Sequence, residues 1–322
     1  MQGNFGIEIE FIRANSEQTR EEIAVRLSQL GINTHAEGYN HYTRDHWKLI
    51  TDSSADYELV SPVLNGERGI IEMKRALDAL DGMGCKVNKT CGIHIHLDAN
   101  SLNVEQIKAF CAYWSIFQAG IFDNLVPYSR RSNHNYFCQN ISSNFEEFFN
   151  CNTMVELADL VNGNTRYKKL NLKSYFRYGT LEIRHHGGSL NSYKVEGWLR
   201  LQYTLLQYAI AHPSLTEARE ISTVCDRDKL NNIVRFDRDR QPRSCLADLK
   251  LRQIKELVYN VSGCSTTKKL KKMFARHLDL RKRSSWISLY NSFTSNFTGS
   301  SFDLEAWVNN RTSQLQTTIA AG

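Results

Sequence analysis

Four short segments of this chain alternate apolar and reactive residues with a period of two, and that pattern narrows what the chain can fold into. In Phe5-Gly6-Ile7-Glu8-Ile9-Glu10-Phe11, Glu8 and Glu10 fall on one face of a strand while Ile7, Ile9 and Phe11 fall on the other. Cys91-Gly92-Ile93-His94-Ile95-His96-Leu97-Asp98 repeats the scheme, with His94, His96 and Asp98 on the polar face. Between Thr180 and Gly188, Glu182, Arg184 and His186 align against Leu181 and Ile183. Asp56 and Glu58 share a face in the remaining segment, close to Asp52, which also suits a turn. Two carboxylates about 7 Å apart on one strand face repel, so cations or solvent must lie opposite. The four segments together describe a sheet with one face against a core and the other around a polar space.

The remainder of the chain fits a mixed fold. Helical periodicity runs over residues 16–30, 69–80, 104–122 and 192–211, and further strands are expected at 47–51 and 57–61. There is no strict β-α-β repeat, no Walker loop and no Gly-x-Gly-x-x-Gly, which leaves α+β with a mixed or antiparallel sheet. With 322 residues, 41% of them hydrophobic, the chain can bury a sizeable core as one or two domains. No apolar run approaches the roughly 18 residues that span a bilayer, and Met1-Gln2-Gly3-Asn4-Phe5 does not open like a signal peptide. A soluble, cytoplasmic protein without membrane contact is the expectation. Eight cysteines without any Cys-x-x-Cys pair are expected as reduced, mostly buried thiols.

Charge divides the chain. Between Cys225 and Arg283 there are 17 Lys and Arg against 7 Asp and Glu, an excess of ten, while the whole chain carries +6. The part outside that stretch is therefore about −4, which points to a carboxylate-bearing body and a basic, mostly helical C-terminal part. His212-Pro213 is the natural seam, giving domains 1–212 and 213–322.

The polar faces carry carboxylates and imidazoles without cysteine, a donor set for hard divalent cations such as magnesium or manganese. Arg184 beside Glu182 is either an ion-pair ladder or a metal ligand next to a guanidinium fork for a phosphoryl group. Arg131 and Lys169, in basic and polar stretches between the motifs, are candidates to meet a carboxylate or phosphate substrate.

The ordered set Gly6-Ile7-Glu8-Ile9-Glu10-Phe11, Trp47 with Asp52-Ser53-Ser54, Glu58-Leu59-Val60-Ser61-Pro62, Cys91 to His96, and Leu170-Asn171-Leu172 with Gly179 to Asn191 resembles the amidoligase family. These are carboxylate–amine ligases with the glutamine synthetase and glutamate–cysteine ligase fold. The resemblance spans about residues 4–211 and leaves the basic tail uncovered. It implies an ATP-dependent ligase with an antiparallel strand funnel flanked by helices, two or more magnesium ions and an acyl-phosphate intermediate. It further implies Glu8, Glu10, Glu58, His94 and Glu182 as metal ligands, and His96 near nucleotide or substrate. Arg184 is then the arginine that neutralises the transferred phosphoryl group, so Arg184, Glu58 and His96 stand as catalytic candidates. The implied substrates are small-molecule or peptide carboxylates and amines.

Two other readings use the same residues differently. A metal-dependent hydrolase would employ His94, His96 and the carboxylates to activate water. A nucleic-acid-binding role would rest on Arg235 to Arg240 and Lys268-Lys269-Leu270-Lys271-Lys272, which could also recruit a polyanionic acceptor to a ligase.

Overall fold

The computed structural model describes residues 1–240, 255, 285–286 and 302–310. The lysine cluster at 268–272 lies outside the described residues, as do Cys245 and Cys264. In chain order, β1 (Asn4–Phe11) leads to α1 (Arg20–Gln29), β2 (Thr34–Ala36), β3 (Trp47–Thr51), β4 (Tyr57–Val60) and β5 (Leu64–Asn65). Then come α2 (Gly66–Gly82), β6 (Gly92–Asp98), α3 (Val104–Phe117), α4 (Asp123–Leu125), α5 (Met154–Asn162), β7 (Leu170–Asn171) and α6 (Lys173–Tyr178). After β8 (Thr180–Gly187) the chain is helical through α7 (Ser192–Ala211), α8 (Leu215–Thr223) and α9 (Asp226–Arg240).

One eight-stranded sheet runs in the order β2-β3-β4-β1-β6-β8-β7, with β5 also on β1. β2 and β3 pair in parallel and the other pairings are antiparallel, so the class is mixed α+β. Register matters more than class here. Glu8 lies opposite His94, Glu10 opposite Glu58, and His96 opposite Glu182. Cross-strand partners sit about 5 Å apart, so the alternation within each strand becomes one continuous polar field across β4, β1, β6 and β8.

The opposite face is apolar and covered. Ile7, Ile9, Phe11, Ile93, Ile95, Leu97, Leu181 and Ile183 are buried, and α2, α3 and α7 pack behind them. α3 is buried almost all round, because α7, α8 and the 3-10 segment Phe145–Asn150 enclose it. Its one indole N–H, from Trp114, donates to Gln202 Oε1 at 3.0 Å. The helices begin where capping predicts. Thr19, Asn103 and Ser214 each close a capping box at the N-terminus of α1, α3 and α8. The periodicity that starts at Ser16 therefore becomes helix only at Arg20.

The expected helix over 104–122 ends as an α-helix at Phe117 and continues as a π-turn over Gln118–Phe122. The wider turn delivers Asp123 to the interior, where its Oδ1 lies 2.5 Å from Lys169 Nζ and 2.8 Å from His185 Nε2. Burial pushes the His185 imidazole down to about 4, against the opposing pull of Asp123. The folded protein thus holds His185 neutral where the unfolded chain takes up a proton near pH 6.5. The stability from this group is complete above pH 6.5 and is lost as pH falls from there towards 4. Thermal midpoints measured across that range should decline with acidification; a flat profile would show that His185 is charged in the fold.

Met1–Asp237 forms one compact unit together with the described residues 304–310, and Arg238–Asp303 a second. Within the first, the chain continues past Pro213: Tyr113 donates its hydroxyl to the His212 carbonyl, and α8 packs on α3. In the second, Lys255 Nζ lies 5.2 Å over the ring of Trp286. Among the described residues no helix is long and apolar enough to cross a membrane. Cys85, Cys91, Cys111, Cys138 and Cys151 are free and buried, and Cys225 is free and exposed.

Candidate functional site

The polar face of the sheet floors a cavity of about 350 Å³. β1 contributes Glu8 and Glu10, β4 Glu58, β6 His94 and His96, and β8 Arg184, while Asp52 enters from the turn between β3 and β4. Each strand residue projects there because its neighbours along the strand are buried, which leaves it only the cavity side.

The side chains interlock. His94 Nδ1 lies 2.7 Å from Glu8 Oε2 and 3.8 Å from Glu182 Oε1, and its Nε2 lies 3.5 Å from Glu10 Oε1. His96 sits between Glu8 Oε1 at 3.2 Å and Thr180 Oγ1 at 3.0 Å. Glu10 accepts the Gly92 N–H at 2.6 Å and the Ser54 hydroxyl at 3.0 Å. Glu182 accepts from Arg184 Nη1 at 2.5 Å and from Asn171 Nδ2 at 2.6 Å. Asp52 does build its turn, accepting the Ser54 and Ala55 N–H groups, yet it also faces Glu10 and Glu58.

Three overlapping sets bring ligand-type atoms within 4.8 Å of one another: Glu8, His96 and Glu182; Glu8, Glu58 and His94; Glu10, Asp52 and Glu58. Their electrostatics are uneven. Burial would raise the Glu8 carboxyl, but the bonds to His94 and His96 outweigh it and hold Glu8 well below the usual range. For Glu58 the only such relief is the charge of Arg184, and it is outweighed. Burial, then the charges of Glu8, Glu10 and Asp52, push it well above the ordinary carboxylate value. Burial opposes Glu182 as well, and the Arg184 charge overrides it to hold Glu182 low.

Residues 2–206 match the family described as "Putative amidoligase enzyme", which is more than half of the chain. The chain belongs to the amidoligase family. No curated protein matches it. The amidoligase match runs from β1 into α7 and contains every residue of the three sets. Family membership is consistent with a ligase.

Not every candidate residue reaches the amidoligase cavity. Lys169 is fully buried and committed to Asp123, and burial draws its ammonium down despite that partner. Arg131 donates from Nε to the Val126 carbonyl and serves the turn it belongs to. His186 does not extend the polar face of β8. The register shifts between Ile93 and Ile95, and the irregularity turns His186 into the core, with its ring 5.4 Å from Trp198. Asp56 sits just before β4 and pairs with Arg13. Burial shifts the Cys138 and Cys91 thiols up, which favours their neutral form, so among the described residues neither is prepared as a nucleophile.

The walls of the cavity come from segments without a periodic signal. Lys48 is buried and its Nζ donates to the carbonyls of Asn40 and Tyr42, at 3.0 and 2.9 Å. Tyr178 fixes the same loop by donating to the His41 carbonyl at 3.0 Å. Tyr39, His41 and Tyr42 thereby form one wall, and Phe137, Arg166 and Tyr167 belong to another. Arg130 lines the cavity where Arg131 was the expectation. Two adjacent arginines look alike in a sequence, and only the phase of the 3-10 turn Tyr128–Arg130 distinguishes them.

Proposed function

We propose that this amidoligase is an ATP-dependent carboxylate–amine ligase that forms an amide or isopeptide bond through an acyl phosphate, with magnesium or manganese as its cations. The observation that carries this reading is the field of overlapping oxygen-rich sets on one sheet face. The crowding that raises Glu58 is what divalent cations relieve, and carboxylate oxygen with imidazole nitrogen is a fitting donor set for them. Glu8, Glu10, Glu58, His94 and Glu182 would hold the ions, with Asp52 beside them. Bound there, the cations would supply charge neutralisation for phosphoryl oxygens. A glutamine synthetase-like strand funnel belongs to the same reading, and the largely antiparallel sheet with its polar face supports it.

In this scheme the acid's carboxylate oxygen attacks the γ-phosphorus of ATP and ADP leaves. The amine nitrogen then attacks the acyl carbon, expelling inorganic phosphate and losing a proton. Arg184, oriented by Glu182, offers its fork to the transferred group. His96, placed between Glu8 and Thr180, is the acceptor for the amine proton. Small-molecule or peptide acids and amines would be its substrates, and the basic segment 213–322 would serve a polyanionic acceptor. The test is ATP-dependent phosphate release against a panel of amino acids, polyamines and carboxylates, followed by mass measurement of the product. ADP, phosphate and a condensed product are expected; no condensation, with cation-dependent cleavage of amide bonds in the absence of ATP, would replace this reading with metal-dependent hydrolysis.

A further inference from the structure

Arg130 is a buried cavity cation to which the proposed chemistry gives no role. It ends the 3-10 turn Tyr128–Arg130, is only 3% exposed, and still borders the cavity. Its Nη2 donates to two neutral acceptors, the carbonyls of Thr90 at 3.0 Å and Cys91 at 2.7 Å. Its Nε is buried with no hydrogen-bond partner. Among the described residues no aspartate or glutamate pairs with it, whereas Arg184 is already neutralised by Glu182. A buried guanidinium whose neighbours are two carbonyls and the Cys138 thiol has no carboxylate partner, and such a charge calls for an anion.

The position of that charge defines what the anion meets. A Cβ built on Gly92 would come within 3.1 Å of both Arg130 Nη2 and His94 Nε2, and within 3.4 Å of Arg130 Nη1. Guanidinium and imidazole therefore converge on one bare stretch of backbone, beside the Gly92 N–H that Glu10 accepts. Arg130 thus stands at the edge of the carboxylate sets. Their negative charge balances it only until cations occupy them; afterwards the guanidinium faces the cavity without a counter-charge. We propose that Arg130 forms an oxyanion subsite at this end of the cavity, taking an oxygen of a phosphoryl group or of a substrate carboxylate. Glycine at position 92 suits the close approach, because a side chain there would press on the guanidinium and the His94 ring, and one of them would have to give by a few tenths of an ångström. The subsite rests on the ligase reading only for the source of its anion.

The experiment measures binding, not turnover. Full-length protein in magnesium is titrated calorimetrically with inorganic phosphate, as the parent and as Arg130→Gln and Arg130→Lys. Glutamine keeps a donor for the Thr90 and Cys91 carbonyls and removes the charge; lysine keeps the charge and removes the fork. Phosphate affinity should fall at least tenfold in Arg130→Gln and less in Arg130→Lys, with magnesium affinity within twofold of the parent in both. A folded Arg130→Gln protein that binds phosphate within twofold of the parent would overturn the subsite. If neither variant folds, parent crystals soaked in tungstate decide: anomalous density at hydrogen-bond distance from the Arg130 guanidinium is expected, and its absence there overturns the proposal. Displacement of phosphate by a non-hydrolysable ATP analogue marks a phosphoryl source, and displacement by carboxylic acids alone marks the acid substrate. Phosphate bound through Arg130 in a protein that ligates nothing would sink the ligase reading and keep the subsite. Normal ligation with an indifferent Arg130→Gln would do the reverse.

Discussion

Glu8→Gln is expected to lower kcat/KM for cation-dependent turnover by at least about 100-fold while the protein stays folded. Loss of a residue that only supports a metal ligand costs about 10–100-fold, and Glu8 belongs to two of the three ligand-type sets at once. Glutamine preserves the shape and an acceptor oxygen for one of the two histidines that Glu8 meets, and the strand pairing of β1 should survive. The ion-free variant also loses one of the charges that crowd Glu58, and its thermal midpoint should not drop far below the parent's. Steady-state kinetics over a magnesium titration, with thermal unfolding in chelator, separates these effects. Turnover close to the parent's at every magnesium concentration would remove Glu8 from the chemistry.

Lys169→Met is expected to be the most damaging change away from the cavity, at about 3–5 kcal/mol, because it strands a buried carboxylate. Asp123 loses its 2.5 Å ammonium partner and keeps His185, the Ser132 N–H at 2.7 Å and the Ser132 hydroxyl at 3.5 Å. Burial acts to raise Asp123, and today its bonds from His185 and Lys169 hold it well below the usual range. Methionine has nearly the right volume but no charge, so the loss is electrostatic and not a cavity. Urea denaturation of Lys169→Met should show the deficit, and adding Asp123→Asn should recover a large part of it. A single variant within about 1 kcal/mol of the parent would mean that the three groups are not coupled in this way.

How much of this was legible depended on whether residues announce themselves by period. β1, β6 and β8 were readable because five or more residues alternate strictly, and Glu8, Glu10, His94, His96, Glu182 and Arg184 came with them. β2, β5 and β7 were not, since two or three residues carry no period, and Asn171 reaches Glu182 from such a strand. Departures from period caused the remaining differences. The irregular register opposite Ile93 sends His186 to the core, and the π-turn at Gln118–Phe122 recruits Asp123 to Lys169. Arg130 owes its place to tertiary contacts between distant segments, which no local pattern encodes, and Lys48 to the folding of the preceding loop back onto β3.

The cavity has a floor and a rim of different mechanical character. The floor belongs to β4, β1, β6 and β8, each flanked by neighbours on both sides of the sheet, so freeing one of these strands means breaking the fold itself. The rim is assembled from loops at 39–43 and around 135–137 and 166–167, tied to the sheet by a few donors such as Lys48 and Tyr178. Loops of this kind tolerate replacement, insertion and change of sequence far better than buried strands do. The two parts can therefore diverge at different rates: a lineage could exchange the rim, and with it the choice of molecule admitted, while inheriting the reactive floor unchanged.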